Sequence, residues 1–295
     1  MSRDKKKAKK TKKKSSNSEQ SIADLLRVGA DFSLASFDPD RVIAGPADSS
    51  SAREAALALE PEVSNLHERL WAQAKGGGKK SVLIIVQGMD TSGKGGVGKA
   101  IDRLLDPLGF GVVGFGPPTD EEKAHHFLWR HIKALPESGR IRMFDRSHYE
   151  AVLVERVRGY APKKVWSKRY DEINAWEATL AERETTVIKL MLHISLDEQK
   201  RRLTDRINTP DKHWKYNPGD LDERAFWDDY MAAYQEALTR CSTEVAPWYV
   251  IPANHKWHRD WLISQILVET LRKINPQYPP ASFDVEAERK RVEAL

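Results

Sequence analysis

SVLIIVQGMDTSGKGG, residues 81–96, is the stretch that decides the fold of this 295-residue chain. Its first part, 81–86, is a largely β-branched apolar run, which is typical of a strand buried on both faces of a parallel sheet. The part that follows has the spacing G-x-x-x-x-G-K from Gly88 to Lys94. Between a buried strand and a helix, such a loop binds phosphate, because its glycines let several backbone N–H groups point at one anion. The sequence therefore predicts a phosphate-binding loop, or P-loop.

The P-loop is predicted to hold phosphoryl oxygens with both backbone and side chain. Lys94 supplies a positive charge, and the helix that starts there supplies its positive N-terminal end. Gly95 stands where a P-loop usually has the Ser or Thr that holds Mg²⁺. The predicted phosphate- and nucleotide-binding residues of this segment are Gly88, Thr91, Ser92, Gly93, Gly95 and Lys99.

Asp90 lies inside the P-loop, where a carboxylate repels phosphate unless a metal ion lies between them. We predict that Asp90 binds a metal ion, because the usual metal-binding residue beside Lys94 is missing. The alternative is that its carboxylate caps the backbone of the loop or of the helix.

The motif MFDRSHYE, residues 143–150, ends the third predicted strand. A carboxylate at this end of a strand beside the P-loop strand occupies the position of a Walker-B acid. This predicts Asp145 as a second metal ligand and Arg146 as a donor to the transferring phosphoryl group. The alternative is a structural ion pair between these two residues. The predicted catalytic residues are Asp90, Lys94, Asp145 and Arg146; Asp90 and Asp145 are the predicted ligands of Mg²⁺, with Mn²⁺ as an alternative.

Strands alternate with helices along the rest of the chain. This pattern predicts an α/β fold, a parallel five-stranded sheet with helices on both faces. The predicted strands are 81–86, 111–115, 140–145, 185–195 and 247–252. The predicted helices are 21–28, one that starts at residue 52, 94–106, 120–134, 148–158, 165–184, 196–208, 221–240 and 256–274.

The charge of the chain is divided unevenly. Its net charge is +5, whereas residues 1–14 carry nine Lys or Arg and one Asp, so the remainder has a net charge of −3. The basic tail is expected to be disordered. It is either a solvated tail or a tether for polyanions. The single cysteine, Cys241, excludes an intrachain disulfide and fits a cytoplasmic protein. No apolar run reaches the roughly 18 residues of a membrane span, so no membrane partner is expected.

A third group of basic residues lies in QKRRLTDRINTPDKHWKYNPGDL, residues 199–221. Pro210, Pro218 and Gly219 break this segment away from the preceding helix. Two interpretations stay open from these residues alone. The segment is a mobile lid that closes over phosphates, or it is a solvated charged face.

The chain resembles the polyphosphate kinase 2 family in four segments: GMDTSGKGG, FLWRHIKALPESGRIRMFDRSHYEAVLVERV, LHISLDEQKRRLTDRINTPDKHWKYNPGDLDERAFWDDYMAAY and STEVAPWYVIPANHKW. They span about residues 50–275. The resemblance implies a thymidylate-kinase-like P-loop fold with a helical lid at about 200–222, the branch that accepts AMP and ADP, and a homo-oligomer, either a dimer or a tetramer. It places Arg201, Arg206, Lys212 and Lys215 in the lid. Gly116 and Ala100 depart from the family, which often has a basic residue and a histidine there.

These features predict a polyphosphate-dependent nucleotide kinase. It would transfer the terminal phosphoryl group of inorganic polyphosphate reversibly to a nucleoside mono- or diphosphate: AMP, ADP or GDP. One rival is an ATP-dependent nucleotide kinase, and the other is a non-catalytic polyanion-binding protein, although nucleic acid is not an expected partner. The predicted organisation is a disordered basic tail (1–20), an irregular arm (21–50), a P-loop kinase domain (51–275) and a C-terminal tail (276–295).

Overall fold

The structure is a computed structural model that describes residues 21–295. The predicted basic tail, residues 1–20, lies outside the described residues. Five parallel strands form one sheet in the order β2-β3-β1-β4-β5. The strands are β1 (Ser81–Gln87), β2 (Phe110–Gly114), β3 (Ile141–Asp145), β4 (Thr185–His193) and β5 (Trp248–Pro252). The predicted α/β fold is confirmed.

Helices account for most of the chain between the strands. They are α1 (Ile22–Leu26), α2 (Ser49–Leu57), α3 (Glu60–Lys75), α4 (Lys94–Asp102), α5 (Asp120–Lys123), α6 (Trp129–Lys133), α7 (Val154–Val157), α8 (Lys163–Glu182), α9 (Leu196–Asn208), α10 (Gly219–Arg224), α11 (Trp227–Arg240), α12 (Lys256–Ile274) and α13 (Val285–Glu293). Short 3₁₀ helices occupy Leu34–Ser36, His148–Ala151 and Pro210–Lys215.

The central strand β1 explains why the sheet needs a helical layer on each face. All seven of its residues are buried. Val82 and Ile84 pack with α3, α4 and α12 on one face, whereas Leu83 and Ile85 pack with α8 and α11 on the other. Successive side chains of a strand point to opposite faces, so a run that is apolar at every position is stable only when both faces are covered.

Four predicted helices are divided into shorter elements in the structure. The predicted helix 120–134 is two short helices, α5 and α6. The chain leaves the helical path between them, and His126 there bonds to Glu172 of α8 at 3.0 Å. The predicted helix 148–158 is a 3₁₀ turn followed by α7.

The predicted helix 221–240 is interrupted between α10 and α11. At the interruption the Phe226 ring packs under the guanidinium of Arg158, 4.7 Å away. The helix predicted from residue 52 is likewise divided into α2 and α3. Tertiary contacts thus accompany the breaks at His126 and Phe226. The division between α2 and α3 falls next to Pro61, which has no N–H to donate to a continuous helix.

The predicted arm, residues 21–50, is irregular apart from α1, one 3₁₀ turn and the first two residues of α2. It packs against β5, where Arg27 forms an antiparallel bridge with Tyr249. The Val28 N–H also donates to the Trp248 carbonyl at 2.9 Å. The C-terminal segment, residues 276–295, contains α13. Helix formation there was not predicted, because its sequence carries few apolar residues to set a period.

Candidate active site

The P-loop connects β1 to α4 at the carboxyl end of the sheet. Its backbone enters the left-handed region at Thr91, where φ is 67°, and at Gly93, where φ is 105°. A Cβ atom on Gly93 would lie 2.0 Å from Nη1 of Arg259. Only glycine satisfies both the left-handed backbone and this close approach. The glycine of the sequence motif is therefore required by the packing beneath the loop.

Lys94 is the first residue of α4 and is only 9% exposed. Its Nζ donates to the Gly88 carbonyl at 2.8 Å and to the Met89 carbonyl at 3.3 Å, and it lies 4.0 Å from Oδ1 of Asp90. Burial lowers the pKa of Lys94, while the charge of Asp90 opposes that shift. The ammonium group is held over the P-loop, where it can reach phosphoryl oxygens.

Two P-loop hydroxyl groups are buried without a hydrogen-bond partner. They are Oγ1 of Thr91 and Oγ of Ser92. Buried polar atoms in folded proteins are nearly always paired, so two unpaired hydroxyl groups in one loop are unusual. They stand beside the N-terminus of α4, which favours an anion.

The end of β3 brings the second motif to the P-loop. Asp145 lies opposite Val86 of β1 in the sheet register. Arg146 adopts a left-handed backbone, with φ of 64°, and its N–H donates to the Val86 carbonyl at 3.1 Å. Its side chain donates from Nη2 to Oδ1 of Asp90 at 2.9 Å. The side-chain ion pair of Arg146 is therefore with Asp90 and not with its neighbour Asp145.

Asp90 contacts a side chain and does not cap the backbone in the described part of the chain. The carboxylate of Asp90 accepts from Arg146, and no cap hydrogen bond from the backbone to it is found among residues 21–295. Charges of both Asp90 and Asp145 act on Lys94. The structure thus brings all four predicted catalytic residues together at one end of the sheet.

Two acidic residues at the site were missed by the sequence reasoning. Glu150 and Asp220 line the same cavity as Asp90 and Arg146. Burial raises the pKa of Glu150 against the opposing charges of Arg146 and Lys94. Burial also raises the pKa of Asp220, and the charge of Asp90 adds to that shift. Glu150 was part of the quoted motif, so its spacing from Asp145 was a usable signal, whereas nothing local distinguished Asp220.

The cavity above these residues has a volume of about 790 Å³. Its wall away from the P-loop is apolar and aromatic, and includes Phe115, Phe127 and Leu153. Cationic side chains of Arg130 and Arg169 also line it. An apolar and aromatic wall opposite a polar floor suits a ligand with one flat apolar end and one charged end.

The predicted lid residues are held in contacts of their own. Arg206 donates to the Lys215 carbonyl at 2.8 Å and to Oδ2 of Asp220 at 3.1 Å. Lys212 pairs with Asp205 at 2.7 Å. Since Asp220 lines the cavity, Arg206 is connected to it through one residue.

Three further predicted binding residues lie away from this cluster. Arg201 pairs with Glu198, and its side chain is 64% exposed. Nζ of Lys215 lies 4.9 Å from the ring centre of Trp214, and Lys99 is exposed on α4. The structure does not bring these three side chains to the P-loop, and their binding roles stay predictions.

Comparison with known proteins decides the family. The family described as Polyphosphate kinase 2 matches residues 48–279. The chain belongs to the polyphosphate kinase 2 family. This confirms the family and the phosphotransferase class that the sequence predicted.

Two relatives and one solved structure in the polyphosphate kinase 2 family match over most of their length. An AMP/ADP-polyphosphate phosphotransferase of Meiothermus ruber is 45% identical over 248 residues, which are 84% of this chain and 91% of that protein. An ADP-polyphosphate phosphotransferase of Rhodopseudomonas palustris is 39% identical over 229 residues, 74% of this chain and 78% of that protein. The crystal structure of Polyphosphate Kinase 2 from Arthrobacter aurescens superposes with a TM-score of 0.91 at 45% identity, covering 94% of this chain and 98% of that one.

Enzymes that transfer phosphoryl groups generally use a divalent metal ion. Among residues 21–295, no group of three or more His, Cys, Asp or Glu side chains is placed to hold a metal ion. Asp90 and Asp145 nevertheless fit a phosphate-bound metal, because such an ion is commonly held by one or two carboxylates together with substrate phosphates and water. Carboxylate oxygens are also the donors that hard divalent cations prefer.

None of the helices in residues 21–295 combines the length and the apolar composition needed to cross a membrane.

Proposed function

We propose that this chain reversibly transfers the terminal phosphoryl group of inorganic polyphosphate to AMP or ADP, with GDP as a further acceptor. The observation that carries the proposal is the meeting of Lys94 and Arg146 at Asp90, on the floor of the cavity. Asp90 and Arg146 line that cavity together with Gly88 and Met89 of the P-loop, and Lys94 lies directly behind them. The names of the relatives from Meiothermus ruber and Rhodopseudomonas palustris support polyphosphate and adenine nucleotides as substrates.

The proposed reaction does not require a general base. The acceptor is a nucleotide phosphate, which is ionised near neutral pH and is itself the nucleophile. Catalysis then consists mainly of aligning two polyanions and neutralising their repulsion. In this proposal Lys94 and the N–H groups of the P-loop hold one phosphoryl group. Arg146 covers oxygens of the group in transfer, where its fork of donors fits planar charge.

Asp90 and Asp145 would hold the metal ion, for which we propose Mg²⁺, with Mn²⁺ as an alternative. When bound, the ion supplies positive charge to the phosphoryl oxygens. The chain's own part is to present two carboxylates whose charges act on Lys94. The ion pair of Asp90 with Arg146 also fixes the carboxylate before substrate arrives.

The cavity supports a nucleotide acceptor. Its aromatic wall, at Phe115 and Phe127, is suited to the flat base. Arg130 and Arg169 also line the cavity, each paired with a glutamate of the same lining. We further propose that residues 51–275 form the catalytic domain, an assignment supported by the family match over residues 48–279. The homo-oligomer implied by the family resemblance stays a prediction.

The test uses purified protein with Mg²⁺ and long-chain polyphosphate, and AMP or ADP as acceptor. Formation of ADP or ATP is expected, and chelation of the metal should abolish it. Arg146→Ala is the matched inactive variant and should turn over at least about 10²-fold more slowly. Transfer from ATP to AMP with no response to polyphosphate would identify an ATP-dependent kinase. Polyphosphate binding without any turnover would identify a binding protein.

A further inference from the structure

Arg202 lies beneath the P-loop and is 5% exposed. Its Nη1 donates to the Thr91 carbonyl and to the Ser92 carbonyl, both at 2.9 Å. Its Nη2 donates to the Ala253 carbonyl at 2.6 Å and to the Asn254 carbonyl at 3.0 Å. One guanidinium group therefore ties the P-loop to the segment that joins β5 to α12.

The fifth donor of Arg202 is used within its own helix. Its Nε donates to Oε1 of Glu198, one turn earlier on α9. A guanidinium group has five N–H donors, and all five are directed at protein oxygens. This separates Arg202 from the residues proposed to bind phosphate, because it has no donor left for a substrate.

The carbonyl contacts of Arg202 favour one orientation of the P-loop peptides, and Arg259 adds a longer bond of 3.5 Å to the Ser92 carbonyl. In a trans peptide group, the C=O of one residue and the N–H of the next residue point in opposite directions. Holding the Ser92 carbonyl toward Arg202 therefore turns the Gly93 N–H toward the other side of the loop. The Ser92 N–H donates to the Met89 carbonyl at 3.0 Å. If the Ser92 peptide rotated, a carbonyl oxygen would replace an N–H group in front of a phosphate.

Arg202 also connects the P-loop to the lid. Arg206 follows it by one turn on α9, and bonds to Asp220 and to the Lys215 carbonyl. The same rigid helix thus carries the contact with the P-loop at one turn and the contact with the lid at the next.

We propose that Arg202 is a positioning residue for phosphoryl transfer: it holds the Ser92–Gly93 peptide so that the P-loop presents N–H groups to phosphate. The proposal rests on the function proposed above. Its consequence is that the shape of the P-loop depends on a side chain of α9 that never touches substrate.

The experiment compares Arg202→Lys and Arg202→Met with the natural chain. Kinetic constants are measured for polyphosphate and ADP, the dissociation constant of tripolyphosphate is measured by calorimetry, and thermal unfolding is followed in parallel. Lysine keeps the charge but cannot span four carbonyls, so a folded Arg202→Lys should bind tripolyphosphate about 10- to 100-fold more weakly, the scale for lost hydrogen bonds to a charged group. KM for polyphosphate should rise in step.

The matched control is Arg272→Met. Like Arg202, Arg272 donates to a carboxylate, here through two bonds of 2.6 Å to Glu62. Arg272 lies near the C-terminal end of α12, whereas the contacts of Arg202 lie just before the N-terminal end of that helix. Its kinetics and tripolyphosphate affinity should equal those of the natural chain.

The outcomes separate positioning from simple structural support. A lower unfolding temperature with unchanged KM and unchanged tripolyphosphate affinity in Arg202→Lys would overturn the proposal. If Arg202→Met does not fold, Arg202→Lys alone decides. Should the natural chain prove inactive with polyphosphate, the proposed function fails, but calorimetry of tripolyphosphate and ATP still reports whether Arg202 shapes the P-loop.

Discussion

The P-loop and the lid both carry predicted phosphate-binding residues, but the two regions hold their charges differently. The P-loop is buried, and Lys94 is fixed by two backbone carbonyls. In the lid, Lys212 pairs with Asp205, and its side chain is 41% exposed. A charge that is already in place costs little to use, whereas a paired surface charge must first leave its partner. Basic residues of the P-loop and of the lid are therefore expected to contribute unequally to phosphate binding.

The largest effect is expected from Lys94→Met. Methionine nearly preserves the volume of the side chain, so the fold should survive, while the charge over the P-loop is lost. Turnover should fall at least about 10²-fold, the scale for one preorganised charge contact. Steady-state rates at saturating polyphosphate and ADP test this. A variant within a factor of ten of the natural rate would contradict the role given to Lys94.

A smaller effect is expected from Gly93→Ala. The added methyl group meets Nη1 of Arg259 at 2.0 Å, and the backbone φ of 105° strains any residue with a Cβ. Strain of about 1–2 kcal/mol at the P-loop corresponds to a loss of about 5- to 30-fold in kcat/KM. Gly29→Ala is the control, since nothing lies within 4 Å of its added Cβ. Equal kinetics for the two variants would show that the P-loop tolerates displacement.

The smallest effect is expected in the lid, from Lys212→Gln. An exposed contact is worth about 0.3–1 kcal/mol, so KM for polyphosphate should rise only about two- to fivefold with kcat unchanged. Added salt should erase the difference, because it screens exposed charges. A loss as large as that of Lys94→Met would remove the contrast between the two regions.

Asp205→Asn tests the same contrast between P-loop and lid by removing the charge of the partner of Lys212. It releases Lys212 from its 2.7 Å ion pair, so KM for polyphosphate should fall by up to about twofold at low salt. A rise in KM would mean that the pair holds the lid in its working position.

The sheet could be predicted from the sequence because its strands are short apolar runs. The run at 81–86 requires burial on both faces, which leaves few alternatives to a parallel sheet. Helix ends were harder, because they depend on contacts with other elements. The break after α5 coincides with the bond from His126 to Glu172, which no local pattern reveals.

Some residues of the candidate site could likewise be predicted from the sequence, and others could not. Asp90, Lys94, Asp145 and Arg146 lie in two motifs at the ends of neighbouring strands, so the predicted topology already brought them together. Arg201 and Arg202 stand side by side in the sequence, and yet one is exposed and the other is buried under the P-loop. Helix α9 has a single buried leucine, Leu203, to mark its inner face, which is too weak a signal to separate them.

The arm, residues 21–50, covers one edge of the sheet and leaves the other edge accessible to another chain. Arg27 and Val28 occupy backbone positions along β5, the kind of template on which another chain can add a strand. At the opposite border, Val112 of β2 is 50% exposed. Any sheet that continued from one copy of this protein into another would therefore be expected to start at β2.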